Sequence, residues 1–235
     1  MEELLRRDIG GRVAVAVVTE RSDGDVHPER VDPDTLRQRQ VRLTGATWVM
    51  LDEVHGTDVV VVGADSNLMW PIAGIGDVLS ADGSSEMLAV WVADCAPIAL
   101  FGSNGSAWVV AHGGWRGLAH GVIDVAVDAL EATGATVAAA VLGPCIHACC
   151  YEFGPADLDE VAAGVGAAAS AVAGSTHWGT DALDVPAAVA AGLARHGIDL
   201  DVVGVCTGCD LRFRSHRRRV DLERHAMVAW FEEAS

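Results

Sequence analysis

Apolar runs of four to six residues, rich in valine and alanine, recur along the chain, most of them bounded by Gly, Asp or Ser. They are VAVAVV (13–18), WVML (48–51), DVVVV (58–62), LAVWVA (88–93), AWVVA (107–111), VAAAVL (137–142) and VVGVC (202–206). Short, β-branched runs with turn formers at their ends predict strands. Between them, apolar positions recur at helical spacing. Residues 117–132 bring Leu118, Val122, Val125 and Leu130 toward one face, and residues 155–173 open on Pro155, a good first-turn residue, and then run alanine-rich. The alanine-rich part, 162–173, fits a buried helix. Residues 186–196 and 221–233 also predict helices. Residues 20–34, ERSDGDVHPERVDPD, are polar and contain two prolines, which predicts an exposed loop. Strands and helices do not alternate strictly, so the pattern indicates an α+β fold. Without an internal repeat or a linker, it predicts one domain over residues 1–235.

Composition narrows the classes of function. The chain has 235 residues and is 51% hydrophobic, enough for a substantial core. No apolar run approaches the roughly 18 residues of a membrane span. The opening MEELLRRDIGG lacks the apolar segment of a secretory leader, so a cytoplasmic protein with reduced cysteines is expected. A formal net charge of −17 argues against nucleic acid as a partner. All sixteen basic residues are arginine, which removes Schiff-base and P-loop lysine chemistry. An anionic substrate group must then be held by arginine or by backbone N–H groups.

Three apolar runs end on residues able to bind a metal or attack a carbon. WVMLDEVHG leads to His55, LAVWVADCAP to Asp94 and Cys95, and AWVVAHGGWRG to His112. Two imidazoles and a thiolate make a zinc set with one position open, the catalytic pattern. Spacing alone favours an ordinary core cysteine and hydrogen-bonded histidines, because no short zinc motif spans Cys95 to His112. In HGGWRG, Gly113 and Gly114 allow close backbone approach, Arg116 adds fixed charge, and a helix is expected from near Leu118. This is an anion-binding corner, or else a plain glycine turn beside a surface arginine.

Six of the sixteen arginines fall within residues 212–224. Ser215, Arg217 and Arg218 suit phosphate or ribose, with Phe213 stacking on a base. Arg212, Arg214 and Arg219 read as a solvated strand edge. CTGC (206–209) has the form of a redox or zinc pair, and CIHACC (145–150) holds further cysteines, but the pair looks isolated and a second zinc site is the less favoured reading. Glu152, Asp77 and Asp82 read as cap or turn residues before acid–base groups.

The segments EVHGTDVVVV, GDVLSADG, VWVADCAPIAL, VVAHGGWRGLAHGVI, LGPCIHACCYEFG and CTGCDLRFRSHRRR together resemble, in order, the laccase-domain or YfiH-like family over about residues 46–219. The resemblance implies a layered α/β/β/α fold, similar to that of a cysteine-hydrolase toxin domain. It implies that His55, Cys95 and His112 hold zinc, with copper as the other candidate. It further implies phosphorolysis of purine nucleosides (adenosine, inosine, methylthioadenosine), with adenosine deamination as a second reaction. The alternatives are the copper-dependent polyphenol oxidation for which the family was first named, and a Cys95–His112 nucleophile–base dyad. On this reading Cys95, His112, Asp94 and Arg116 are catalytic, with Asp94 or Glu53 moving a proton. Gly113, Gly114, Tyr151, Phe213, Ser215 and Arg217 bind nucleoside and phosphate. A multi-copper site fits less well, because only His55 and His112 group with Cys95, and His120 and His147 lack clear partners.

The chain departs from the family pattern at three places. Glu53 stands where members carry glutamine, HGGWRG replaces HAGWRG, and TERSDGDVHPERVDPD replaces an arginine and glycine-rich loop followed by LNL. Whether Arg21 takes that arginine's place is open, as is a weakened paralogue that binds without turnover. Nothing in the sequence sets the oligomeric state.

Overall fold

The computed structural model describes residues 1–63 and 70–234. In chain order the elements begin with strands β1 (Glu2–Ile9) and β2 (Arg12–Val18), helix α1 (Pro33–Thr44), and strands β3 (Trp48–Asp52), β4 (Val59–Val62), β5 (Ile72–Ile75) and β6 (Val78–Asp82). Strands β7 (Met87–Val92), β8 (Ala96–Gly102) and β9 (Ala107–Gly113) follow, then helices α2 (Trp115–Ala119) and α3 (Val122–Glu131) and strand β10 (Val137–Leu142). The rest comprises α4 (Pro155–Gly164), α5 (Ala169–Val172), β11 (Ala173–Ser175), β12 (Asp181–Leu183), α6 (Val185–Ala194), β13 (Val202–Val203), α7 (His216–Arg219) and β14 (His225–Glu233).

Two six-stranded sheets stack face to face. The first runs β1-β2-β14-β7-β3-β5 and the second β13-β10-β8-β9-β6-β4, while β11 and β12 form a small separate ribbon. Three apolar layers fix the order of the stack. Leu36 of α1 packs with Val15, Trp48, Met50 and Val228 on the outer face of the first sheet. Leu88, Val90, Met227 and Phe231 of the first sheet meet Leu79, Phe101, Trp108 and Val110 of the second. Val122, Ile123, Val127, Val161 and Val189 from α3, α4 and α6 cover the second sheet's far side. The result is the α/β/β/α layering that the resemblance implied. Aromatic edges key the two sheets together: Phe231 meets Phe101 at 5.5 Å and Trp108 at 5.9 Å between ring centroids, both close to perpendicular.

The structure departs from several expectations. Residues 221–233 are not a helix; they contain β14, which pairs with both β2 and β7. Its residues alternate between the outer layer (Ala226, Val228, Trp230) and the inter-sheet layer (Met227, Ala229, Phe231). Both faces are apolar, so the period of two is invisible in the sequence. The expected helix 117–132 is two helices, divided at Gly121, whose φ of 87° suits glycine. Residues 155–173 also split, into α4 and α5, and much of the alanine-rich stretch lies at the surface. The polar segment 20–34 is not simply exposed. Val26 is fully buried, His27 nearly so, and α1 begins inside the segment. There Asp32 caps α1 by accepting from the N–H groups of Asp34 and Thr35, with Pro33 in the first turn.

Three connections pass from the first sheet to the second at one end of the stack, one of them the β5–β6 link with Asp77. The β3–β4 link carries His55, and the β7–β8 link carries Asp94 and Cys95. The end of β9 supplies His112. His55 (φ 62°) and Asp94 (φ 98°) are two of the three non-glycine residues in the left-handed region among those described. Such conformations persist where surrounding contacts enforce them, often at functional sites.

Candidate metal centre and substrate cleft

His55, Cys95 and His112 each present a ligand atom, and these atoms lie within 4.8 Å of one another. Cys95 Sγ is 3.8 Å from His55 Nε2, and the two imidazoles meet edge-on at 4.8 Å between centroids. His55 is exposed, Cys95 half-buried and His112 buried. Asp77 organises two of the three, the His55 loop and His112. Its carboxylate accepts from the backbone N–H groups of Val54 (3.3 Å), His55 (2.9 Å) and Gly56 (2.6 Å) and lies 2.8 Å from His112 Nδ1. His112 therefore has Nε2 free for a metal, with a carboxylate fixing ring and tautomer, the usual support of a ligating histidine. The donor set fits a catalytic zinc: three protein ligands, nitrogen and sulfur, with a position open toward a cleft.

The buried charges are strongly coupled. Burial of the Glu53 carboxyl raises it to about 8, although His112 pulls the other way. The carboxylate is 3.7 Å from His112 Nδ1 and accepts from the Trp91 N–H at 2.9 Å. Burial alone would raise the Cys95 thiol, but the charge of His112 and hydrogen bonds from both histidines outweigh it and bring it to about 6. Burial opposes protonation of His112, yet Glu53, Cys95 and Asp77 hold it well above its ordinary value. A thiolate at neutral pH is the form that binds metal or acts as a nucleophile.

The cleft has two lobes that meet at His55, Ala93, Cys95 and His216. The larger, about 440 Å3, is walled by Trp91, His27, Glu29, Asp52, Glu53 and Arg224. Trp91 and His27 lie 4.6 Å apart as tilted rings. The smaller, about 150 Å3, is walled by Gly113, Trp115, Arg116, Tyr151 and Arg217. Arg217 lies over the Tyr151 ring at 4.5 Å and donates to the Glu152 carbonyl, and Arg116 lies over Trp115 at 4.5 Å. Gly114 backs onto His55 so closely that a β-carbon there would sit 2.5 Å from the imidazole.

Two residues expected at the substrate are elsewhere. Phe213 is fully buried, packed on His225 with Arg212 across its other side, and offers no face to the cleft. Ser215 is also buried, and its hydroxyl accepts from the Arg218 N–H to cap α7. Tyr151 does reach the smaller lobe, but its face is taken by Arg217. Asp94 borders the same lobe with both oxygens engaged, by the Thr207 hydroxyl at 2.6 Å and the Arg217 N–H at 2.7 Å. Both Asp94 oxygens are thus occupied, whereas Glu53 Oε1 accepts from Trp91 and Oε2 faces His112. Arg214, expected at a solvated edge, is buried and paired with Glu223. Arg21 pairs with Asp221 at 2.6 Å. Of the expected turn residues, Asp77 holds the His55 loop, Asp82 accepts from Ser106, and Glu152 accepts from Trp178 and Thr180. His27, Trp91 and His216 were not expected at the site. Only Trp91, in the strand that leads to Cys95 four residues later, carried a signal that could have found it.

Fold and site together define a two-sheet α/β/β/α protein with a two-histidine, one-cysteine centre at the junction of its sheets. The chain belongs to the family described as multi-copper polyphenol oxidoreductase laccase, whose profile matches residues 21–232. It is 35% identical to a purine nucleoside phosphorylase of Streptomyces coelicolor, covering 84% of this chain and 80% of that one. It is 32% identical to one of Pseudomonas aeruginosa, covering 86% and 83%. Among solved structures, a Neisseria meningitidis protein of family DUF152 superposes with a TM-score of 0.77 at 25% identity, over 97% of this chain and 99% of that one. YlmD from Geobacillus stearothermophilus shares the fold with a TM-score of 0.78 at 24% identity, over 96% and 93%. Among the described residues, no helix is long and apolar enough to cross a membrane.

Proposed function

We propose that this chain is a zinc-dependent purine nucleoside phosphorylase acting on adenosine, inosine or methylthioadenosine, with the metal on His55, Cys95 and His112. The observation that carries the reading is the division of the cleft into two chemically different lobes sharing that centre. The smaller lobe offers the guanidiniums of Arg116 and Arg217 beside Gly113, and its one carboxylate, Asp94, is fully hydrogen-bonded. It suits phosphate. The larger lobe offers the Trp91 ring and the carboxylates of Glu29 and Asp52, which suit a purine face, an exocyclic amine and ribose hydroxyls. The curated relatives named purine nucleoside phosphorylase support the same assignment.

In phosphorolysis a phosphate oxygen bonds to the ribose C1′ as the glycosidic C–N bond breaks and its electron pair leaves with the purine. Arg116 and Arg217 hold and orient the phosphate. Glu53, protonated at neutral pH, donates to the departing base. Held by His55, Cys95 and His112, zinc would supply Lewis-acid polarisation. The Cys95 thiolate also suits a metal-free dyad with His112, and metal content separates the two readings.

Adenosine deamination is a second reading, favoured by Glu53 itself: a buried carboxyl 3.7 Å from a metal-ligating histidine is placed to carry protons while water replaces the amine at C6. Polyphenol oxidation has less support. Among the described residues the groups able to hold a metal are the His55–Cys95–His112 set and a set of four cysteines, with no further histidine cluster for additional coppers.

The test is to incubate purified protein with each nucleoside, with and without phosphate, and to separate the products by chromatography. Phosphate-dependent release of free purine is expected. Cleavage without phosphate, or no product at high enzyme concentration, would overturn the assignment, and inosine formed from adenosine would establish the second reaction.

A further inference from the structure

We propose that Cys149, Cys150, Cys206 and Cys209 form a second, structural zinc site. The CTGC pair is not isolated. The fold brings it against the adjacent cysteines of the 3-10 turn at Ala148–Cys150, so that the four sulfurs lie within 4.8 Å of one another. The separations are 3.8 Å for Cys149–Cys150, 3.6 Å for Cys149–Cys206, 3.6 Å for Cys149–Cys209 and 3.4 Å for Cys150–Cys209. Four sulfurs about 2.3 Å from a central zinc sit about 3.8 Å apart on a tetrahedron, so this is the spacing of a zinc tetrathiolate. It is far beyond the roughly 2.05 Å of a disulfide, and all six cysteines of the chain are free.

The surroundings fit thiolates. The backbone N–H groups of His147, Gly208 and Cys209 point at Cys206 Sγ, as in a metal-binding knuckle, and His177 Nε2 lies 3.7 Å from Cys209 Sγ. Gly208 gives the loop its close approach, since a β-carbon there would lie 2.7 Å from the Cys150 side chain. Zinc with four thiolates carries a net charge of −2, and the cationic run Arg217–Arg219 adjoins it. Arg219 donates to the carbonyls of Thr207 and Gly208, and the Arg218 side chain lines the glycine. As the metal binds, the four thiols release their protons to solvent.

The site has an evident purpose in the fold. It joins the turn before Tyr151 to the loop whose Thr207 holds Asp94, and Asp94 in turn holds Arg217. The metal thereby braces the phosphate lobe in addition to the apolar packing of Cys150, Tyr151 and Cys206. A four-sulfur shell leaves no open position, so the role is structural.

The experiment uses full-length protein and needs no nucleoside, so its failure and that of the proposed activity are distinguishable. Cys95→Ala removes a ligand of the other centre. Purified under reducing conditions, it is expected to retain about one zinc per chain, with X-ray absorption showing four sulfur neighbours. Chelation should lower its melting temperature. Cys206→Ser/Cys209→Ser is expected to lose that zinc. A Cys95→Ala protein without zinc, a first shell dominated by nitrogen or oxygen, or a disulfide among the four cysteines by mass spectrometry would each overturn the proposal.

Discussion

At the scale of single residues, the centre depends on charges kept out of water. Glu53 is the sharpest case, because its side chain is buried and the carboxyl raised to about 8 from the ordinary carboxylate range. A raised carboxyl contributes stability that is present below its unfolded value and lost as pH rises through its folded value. In metal-free protein, Glu53→Gln keeps shape and removes the titration. The melting temperature of this variant, relative to wild type, should therefore climb between pH 5 and pH 9. A difference that stays flat would refute the buried-acid reading. Arg217 tests the division of the cleft. Arg217→Gln shortens the side chain and removes the charge over Tyr151, and the KM for phosphate should rise at least about tenfold, in line with a lost charged hydrogen bond. The KM for nucleoside should change little. Equal effects on both would show that the two lobes are not separate subsites.

At the scale of elements, the site is made by the places where strands end. The loop after β3 is fastened by Asp77, and Gly114 lets β9 and α2 close against His55. Gly114 has φ −68°, open to any residue, so Gly114→Ala strains contact and not backbone. The added methyl displaces the imidazole, and metal affinity should fall about 10- to 100-fold, the range seen when support for a ligand is lost. The circular dichroism of the chelated proteins should match. Unchanged metal affinity would mean that His55 is not a ligand. The candidate trio His55, Cys95 and His112 was legible because each member closes an apolar run. Glu53 was legible as a departure from the family pattern and as one of two candidate proton carriers, and Asp77 was read as a turn residue, which it is, although its second task on His112 acts across 35 residues. His27 was hidden in a segment whose polarity suggested solvent. Phe213 and Ser215 were misplaced because a tight loop points some side chains to the cleft and others inward, and adjacency in sequence does not say which. β14 was misread because a strand buried on both faces has no polar side to show its period.

At the scale of the whole molecule, the centre sits where two stacked sheets exchange strands, so its geometry depends on how the sheets pack. Trp108 lies at that interface, 1% exposed, against Phe231. Trp108→Ala should destabilise by about 3–5 kcal/mol, the usual effect of emptying a buried aromatic site, measured by denaturant unfolding. It should also weaken metal binding, because β9 carries both Trp108 and His112. A loss under 1 kcal/mol would show that the sheets do not rely on this contact. The same architecture accommodates the proposed phosphate site in an acidic chain. The net charge is −17, yet Arg116 and Arg217 both line the smaller lobe.

The most direct test is crystallographic: anomalous diffraction on either side of the zinc absorption edge from crystals of the full chain grown without chelator. A zinc peak is expected between His55, Cys95 and His112, within about 2.0–2.3 Å of two nitrogens and one sulfur. Electron density showing these three side chains turned away from one another, with no peak between them, would contradict the account at its root.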